Sequence, residues 1–174
     1  MSAGAIPTND GLTLIFATVP QGRFHDTMRQ GADAGFRHEL RECSPDLAAV
    51  AEAAPMVEKY RGFSGEVGFF RQSFGPGWAL VGDAGYFKDP LTAHGITDAL
   101  IDAELLAQAA SAGTEAAFAG YQAARDDLAV QHFEVTDAVA SFEWDLPKAQ
   151  QLHRALSEEM KKESLAVKGF ATPA

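Results

Sequence analysis

The feature that most constrains the fold is a short apolar run, Trp78-Ala79-Leu80-Val81, that ends in Gly82-Asp83. Four apolar residues without a polar alternation are typical of a β-strand that is covered on both faces. A glycine at the end of such a strand lets another backbone or a ligand come close where the chain leaves the sheet. We therefore expect Asp83 at the carboxyl end of a buried strand, the edge at which open α/β sheets bind ligands.

A second feature follows shortly afterwards, where Gly95 opens an Ala- and Leu-rich segment that is predicted to be helical from Ile96 to Ala110. The first N–H groups of a helix lack intrahelical partners and carry partial positive charge, so they stabilise anionic oxygens. Pro90 stiffens the intervening loop and has no N–H to leave unsatisfied beside a ligand. A carboxylate that accepts hydrogen bonds from hydroxyls, followed by an anion-binding helix end, suits a long ligand with a polyol in its middle.

This pattern resembles the second FAD-binding motif of the flavoprotein monooxygenase, halogenase and geranylgeranyl reductase superfamily. The matching positions are Gly82, Asp83, Pro90, Gly95, Ala99, Asp102, Ala103, Leu106 and Ala107. The likeness is sharp from Val81 to Ala107 and loose from Leu12 to about Phe142. It implies that the chain is part of an FAD-dependent oxidoreductase.

The resemblance also implies roles for individual residues. It assigns Asp83, which follows the turn glycine Gly82, to the ribityl chain of FAD, and Pro90 to the wall of the isoalloxazine ring. Gly95 and Ile96 become backbone donors at the pyrimidine end of the ring. His94 stands where many relatives carry glutamine, and it either touches the pyrimidine edge or is an ordinary loop histidine.

Neighbouring residues have less direct roles. Asp102 and Ala103 are expected to stabilise helix packing rather than touch the flavin. Lys88 and Asp89 either line the flavin pocket or, as loop residues commonly do, face solvent.

The implied enzyme uses FAD, with NAD(P)H as the reductant, and it hydroxylates or reduces an apolar or aromatic small molecule. The strand Leu12 to Val19 and the residues near Phe69 and Phe70 would wall an apolar pocket, although a purely structural core explains these side chains equally well. A tryptophan-rich motif of the halogenase kind is absent from the sequence. No catalytic acid, base or nucleophile is identified, and the catalytic residues stay unknown.

The sequence departs from the family at one point, because it contains no Gly-x-Gly-x-x-Gly turn between a strand and a helix to hold the ADP half of FAD. It is therefore expected to be a fragment, one half of a split enzyme, or a truncated reading frame. Without that unit the strand at Trp78–Val81 lacks the parallel neighbours that would cover it. The chain should therefore expose apolar surface there and associate with itself or with a complementary N-terminal half. The alternative function is a non-catalytic α+β interaction module that has lost flavin binding.

The predicted fold class is α+β, a fragment of a mixed α/β FAD-binding fold in which a few-stranded sheet precedes long C-terminal helices and the N-terminal Rossmann unit is lacking. Three sections are expected: 1–77 as a remnant of the substrate domain, 78–112 as the second FAD motif, and 113–174 as a helical region.

Hydrophobic patterning predicts the remaining elements. Besides the strand Leu12–Val19, an amphipathic helix is expected from Phe24 to Leu40. The other expected elements are a helix from Ser44-Pro45 to about Ala54, two weak strands between Met56 and Phe74 with Val67–Phe70 the better, a turn at Gly75-Pro76-Gly77, a helix from Thr114 to about Phe142 that Pro147 breaks, and a charged helix over Lys148–Val167.

Two details of the helical region matter later. The expected apolar stripe of the long helix consists of Phe118, Tyr121, Leu128, Val135, Val139 and Phe142. Lys161-Lys162-Glu163 in the last helix is interpreted as a solvated face. The tail after Gly169 is expected to fray.

Charge and composition exclude several classes of function. A net charge of −10 disfavours binding to nucleic acid. The single cysteine, Cys43, cannot form an internal disulfide, and neither a leader nor a membrane span is evident, so a soluble cytoplasmic protein is expected. No metal site is predicted, because His25, His38, His132 and His153 are scattered along predicted helices.

Overall fold

The computed structural model describes residues 1–170 and has an α+β fold. Within this range the chain forms six α-helices and three two-stranded antiparallel sheets. The chain divides into two compact units, an N-terminal unit of residues Met1–Gly65 and a C-terminal unit that begins at Glu66. This division reflects the packing of the chain. The three sections expected from the sequence, 1–77, 78–112 and 113–174, stay a prediction.

A β-hairpin opens the N-terminal unit. Strand β1 (Ser2–Pro7) pairs antiparallel with β2 (Thr13–Thr18) across a turn at Asn9–Gly11. The sequence predicted β2 correctly but missed β1, because the small residues of β1 have little intrinsic strand preference. Gly4 explains how such a strand pairs closely: a Cβ there would lie 2.7 Å from Cζ of Phe16 on β2, whose ring covers the glycine.

Three helices complete this unit: α1 (Gln21–Met28), α2 (Ala32–Cys43) and α3 (Pro45–Ala53). The single helix predicted from Phe24 to Leu40 is wrong, because Gly31 has a φ of +94° and breaks it into α1 and α2. The predicted start of α3 is confirmed, since the Ser44 hydroxyl accepts a hydrogen bond from the Leu47 N–H.

The N-terminal unit also buries a carboxylate, Glu39 of α2. It accepts hydrogen bonds from Arg23 Nε at 2.9 Å and from Thr27 Oγ1 at 2.6 Å. Burial alone would raise the pKa of Glu39, but the bonds from Arg23 and Thr27 outweigh burial and lower it. Glu39 is therefore held in its charged form against α1.

The strands of the C-terminal unit are short. β3 (Phe69–Phe70) pairs with β6 (Tyr86–Phe87), and β4 (Phe74–Gly75) pairs with β5 (Trp78–Ala79) across the predicted Gly75-Pro76-Gly77 turn. Between Met56 and Phe74 the better strand candidate is confirmed as β3, and the weaker one forms no strand ahead of it.

The strand expected at Trp78–Val81 is not covered on both faces. It shrinks to β5, an antiparallel edge, and Trp78 is 46% exposed. The expected lack of parallel neighbours is confirmed in the described residues, where β5 pairs only with β4 and antiparallel to it. The expectation that this strand exposes apolar surface is confirmed.

Three long helices form the rest of this unit: α4 (Gly95–Ala112), α5 (Glu115–Ala140) and α6 (Leu146–Phe170). Gly113, with a φ of +65°, ends α4, and the Thr114 hydroxyl caps α5 by accepting from the Ala117 N–H. The predicted helices are confirmed to within a few residues, and α5 packs against both α4 and α6. The tail that is predicted to fray lies outside the described residues from residue 171 onward. Among residues 1–170, no helix is both long enough and apolar enough to cross a membrane.

Candidate functional site

The segment between β5 and α4 begins with a turn that only glycine can form without strain. Gly82 has a φ of +53°, and a Cβ on it would lie 2.9 Å from the Cβ of Ala99 on α4. The buried Gly82 N–H donates to Oδ2 of Asp102 at 2.8 Å. Asp102 therefore has the packing role expected of it, and it fixes the turn against α4.

This turn positions Asp83 beside the start of α4. Asp83 is exposed, and its Oδ1 lies 3.7 Å from the point that a Cβ on Gly95 would occupy. Gly95 is the first residue of α4, and the side chain of His94, the N-cap residue, does not cap the helix. The carboxylate and the helix end that the sequence singled out are therefore adjacent.

Pro90 lies on the segment between β5 and α4, and Ile96 is the second residue of α4. Pro90 is exposed at the start of a short turn, Pro90–Thr92, in which Asp89 Oδ1 accepts from the Leu91 N–H at 2.9 Å. Ile96 is 81% exposed. We refer to the exposed residues Asp83, Pro90, Gly95 and Ile96 as the outer loop face.

His94 points the other way, toward the interior of the unit. Its ring packs edge-on against His132 of α5, with 4.5 Å between the ring centroids, and its Nε2 lies 3.8 Å from Oε2 of Glu163 on α6. Burial lowers the pKa of His94 and outweighs the opposite influence of Glu163. The structure thus separates His94 from the exposed members of the predicted site.

Behind the outer loop face lies a buried ion pair. Lys88 Nζ is 2.7 Å from Oδ2 of Asp98, and both side chains are 5% exposed. The expectation that Lys88 faces solvent is wrong, because the first turn of α4 supplies a buried carboxylate for it. Burial nevertheless raises the pKa of Asp98, since it outweighs the attraction of Lys88.

A second buried pair joins α5 to α6. Nδ1 of the fully buried His132 lies 2.8 Å from Oε1 of Glu163. Burial would raise the pKa of Glu163, but the hydrogen bond and charge of His132, together with His94 and Lys88, lower it. The solvated face predicted at residues 161–163 is therefore wrong for Glu163, although Lys161 and Lys162 remain at the surface. We call Lys88, His94, Asp98, His132 and Glu163 the buried polar cluster.

The buried stripe of α5 explains why the sequence missed this cluster. Of the predicted apolar stripe, only Tyr121 and Val139 are fully buried; the buried positions are Tyr121, Arg125, Ala129, His132, Thr136 and Val139. Three polar residues thus share the helical spacing of the apolar ones. The helical spacing of these polar residues is the sequence signal of their burial. A stripe that consists of apolar residues alone does not contain this signal.

Arg125 shows how this stripe is stabilised. Its Nη2 donates to the Arg71 carbonyl at 2.8 Å, and its guanidinium lies over the ring of Phe70, 4.6 Å from the centroid. Burial raises the pKa of Asp102 to about 6, because it outweighs the lowering influences of the Gly82 N–H bond and of the Arg125 charge.

The interior of the unit has little free space. A cavity of about 10 Å³ lies between Tyr86, Asp98, Asp102, Arg125 and Glu163. A buried water needs roughly 10–15 Å³, so this space holds one water at most. A ligand as large as a flavin ring does not fit in this cavity.

Comparison with protein-family models, with curated proteins and with solved structures gives no match for this chain.

Proposed function

We propose that this chain supplies the ribityl and isoalloxazine side of an FAD site in an NAD(P)H-driven oxidoreductase that acts on an apolar or aromatic small molecule. The observation that carries the proposal is the exposed carboxylate of Asp83 beside the uncapped first residue of α4. Both are held in place by the buried bond from Gly82 to Asp102.

The chemistry of these residues fits the flavin half of FAD. A carboxylate accepts hydrogen bonds from ribityl hydroxyls, and the first N–H groups of a helix donate to electronegative oxygens. Gly95 leaves open the space beside Asp83 Oδ1 that a side chain would fill. Bound FAD would supply the redox chemistry, taking electrons from NAD(P)H and passing them to oxygen or to an organic substrate.

The protein residues then bind and orient. Asp83 would hold the ribityl chain, the backbone of Gly95 and Ile96 would contact the pyrimidine end of the ring, and Pro90 would form part of the ring wall. His94 would act from behind by fixing the start of α4, since its side chain packs inward against His132. The proposal assigns no proton transfer to any of these side chains.

The ADP half of FAD needs residues that the sequence does not contain. We propose that a glycine-fingerprint segment, on a complementary N-terminal half, completes the site. The exposed apolar residues near the motif support this: Ile96 is 81% exposed, Leu100 67% and Trp78 46%. Such surface is costly in water and is commonly covered by a partner or a ligand.

The test is a titration with FAD, followed by flavin absorbance and fluorescence, of the purified chain alone and mixed with a segment that carries a Gly-x-Gly-x-x-Gly turn. Binding is expected in the mixture. Asp83→Ala should weaken it about 10- to 100-fold, because hydrogen bonds to a charged group contribute roughly 1.5–3 kcal/mol. Asp137→Ala, which removes an exposed carboxylate from α5, is the matched control and should change nothing. Equal affinity in the Asp83→Ala variant and the unmodified chain would overturn the assignment.

The alternative is an interaction module without flavin. The same exposed Ile96 and Leu100 favour it, since they would form a contact surface with or without a cofactor. Association with the glycine-fingerprint segment that is equally tight with and without FAD, with no bound flavin spectrum, would favour the module over the enzyme.

A further inference from the structure

Three potential metal ligands meet inside the C-terminal unit, away from the outer loop face. His94 precedes α4, His132 lies on α5 and Glu163 lies on α6. Each offers one ligand atom, and these atoms all lie within 4.8 Å of one another. The three residues come from three elements, so their meeting is a property of the tertiary structure and not of any local motif.

The nitrogen atoms of this group have unused capacity. Within residues 1–170, Nε2 of His132 and both ring nitrogens of His94 are buried without a hydrogen-bond partner. A buried polar atom without a partner destabilises the folded state, so such atoms are rare and call for an explanation. His132 is fully buried and α5 restrains it, so it cannot turn to water for a partner.

The local charge also favours a cation. Three buried carboxylates, Asp98, Asp102 and Glu163, surround this region, whereas only Lys88 and Arg125 are buried cations. A divalent cation there would lie beside these carboxylates and occupy the free nitrogens.

We propose that His94, His132 and Glu163 bind a divalent transition metal of the zinc class. Two imidazoles and one carboxylate are a ligand set that Zn²⁺ uses, with the fourth position left to water. Zinc bonds of about 2.0–2.1 Å place tetrahedral ligand atoms about 3.3 Å apart. The separation of 3.8 Å between His94 Nε2 and Glu163 Oε2 is close to that value. Because the three ligand atoms lie within 4.8 Å of one another, the ligands must draw together by up to about 1.5 Å to complete the site.

The metal would tie the loop before α4 to α5 and α6. It would thereby fix the residue that precedes Gly95, on the opposite side of the connection from Asp83. This inference does not depend on flavin binding.

The experiment uses the whole chain, stripped of metal with a chelator and confirmed as folded by circular dichroism. Zn²⁺ alone is then titrated by calorimetry and by competition with a chromophoric chelator, and Co²⁺ is added separately as a coloured probe. We expect one ion per chain, a d–d absorption band from bound Co²⁺, and a rise in Tm of about 5–10 °C when Zn²⁺ reaches 100 times its Kd.

Two variants test the ligands. His94→Ala removes the ligand nearest the surface, and Glu163→Gln keeps the size of the side chain and a polar contact to His132 while removing the charge. Each should weaken Zn²⁺ binding at least tenfold and, at the same Zn²⁺ concentration, reduce the rise in Tm by about half or more. His153→Ala is the matched control, because this α6 histidine is exposed and bonds only to the Ala149 carbonyl.

The outcomes separate clearly. Zn²⁺ binding that His94→Ala and Glu163→Gln weaken and His153→Ala does not supports the site. Absence of binding by the folded chain, or binding that His94→Ala leaves unchanged, overturns it. Asp83→Ala should leave Zn²⁺ affinity unaltered, so failure of this inference and failure of the flavin proposal are distinguishable.

Discussion

The two sides of the first turns of α4 differ in a way that reverses the usual amphipathic helix. The outward side carries Ile96 and Leu100, which are 81% and 67% exposed. The inward side buries Asp98 and Asp102 together with the apolar Ile101. A surface helix normally buries its apolar stripe and exposes its charges.

The reversal shows that the two sides serve different purposes. Each inward carboxylate has a specific partner, Lys88 for Asp98 and the Gly82 N–H for Asp102, and together they determine where α4 begins. The outward residues have no comparable contact within the described part of the C-terminal unit. They are therefore accessible for contact with another molecule.

The largest expected effect comes from breaking the inward side at Asp98. Asp98→Leu would leave the Lys88 ammonium buried without its partner, which costs about 3–5 kcal/mol of unfolding free energy. Urea denaturation followed by circular dichroism measures the change.

The double variant Lys88→Met with Asp98→Leu is the control, because it removes both charges and should recover most of the loss. If the single variant were as stable as the unmodified chain, the ion pair would not matter for the start of α4, and the contrast between the two sides would lose its basis.

Asp102 gives the next effect. Asp102→Ala leaves the Gly82 N–H buried without an acceptor and should lower the unfolding free energy by about 1.5–3 kcal/mol. Asp102→Asn keeps an amide oxygen for this N–H and should cost less than about 1 kcal/mol. Equal losses in the two variants, measured by urea denaturation, would mean that the bond to Gly82 contributes little.

A pH experiment sharpens the same point. The pKa of Asp102 is raised from 3.8 to about 6, so the folded state binds its proton more tightly than the unfolded state does. Its favourable contribution is complete below about pH 4 and is lost as the pH rises through 6. Between these limits the free energy of unfolding of the unmodified chain should fall by about 1–2 kcal/mol relative to that of Asp102→Asn. This is less than the free energy that corresponds to the full shift of roughly two pKa units. Melting curves of both proteins at pH 4.5 and pH 7 measure the difference; parallel changes in Tm would count against it.

The smallest effect on stability is expected on the outward side. Ile96→Ser with Leu100→Ser should change the unfolding free energy by less than about 0.5 kcal/mol per residue, because both side chains are mostly exposed. The same change should reduce binding of an apolar dye and any self-association seen by sedimentation. Leu165→Ser on α6, where the side chain is 68% exposed, is the control for a general loss of apolar surface.

Much of the fold follows from local signals in the sequence. The helix starts predicted at Ser44-Pro45 and at Thr114 are confirmed, and the predicted turn at Gly75-Pro76-Gly77 connects β4 to β5. Two local predictions failed for physical reasons. Strand β1 gains its stability from pairing with β2, and the break at Gly31 depends on a backbone angle that apolar spacing does not report.

The candidate site was predictable only in part. Gly82, Asp83 and Gly95 stand on one short connection, so local reasoning could place them together. The contacts between His94, His132 and Glu163 depend on how α4, α5 and α6 pack. Charged residues are mostly exposed, so Lys88 and Glu163 were assigned to solvent, and only their distant partners make burial possible.

The exposed Trp78 of β5 makes the C-terminal unit its own optical reporter. The chain has two tryptophans, and the other, Trp144, donates its indole N–H to the Val139 carbonyl on a different part of the unit. Indole emission moves to shorter wavelength when water is removed, so a cofactor or protein that covers β5 should shift the Trp78 component and leave that of Trp144 in place. Trp144→Phe would isolate this signal, and the covering of β5 could then be followed by intrinsic fluorescence without a label.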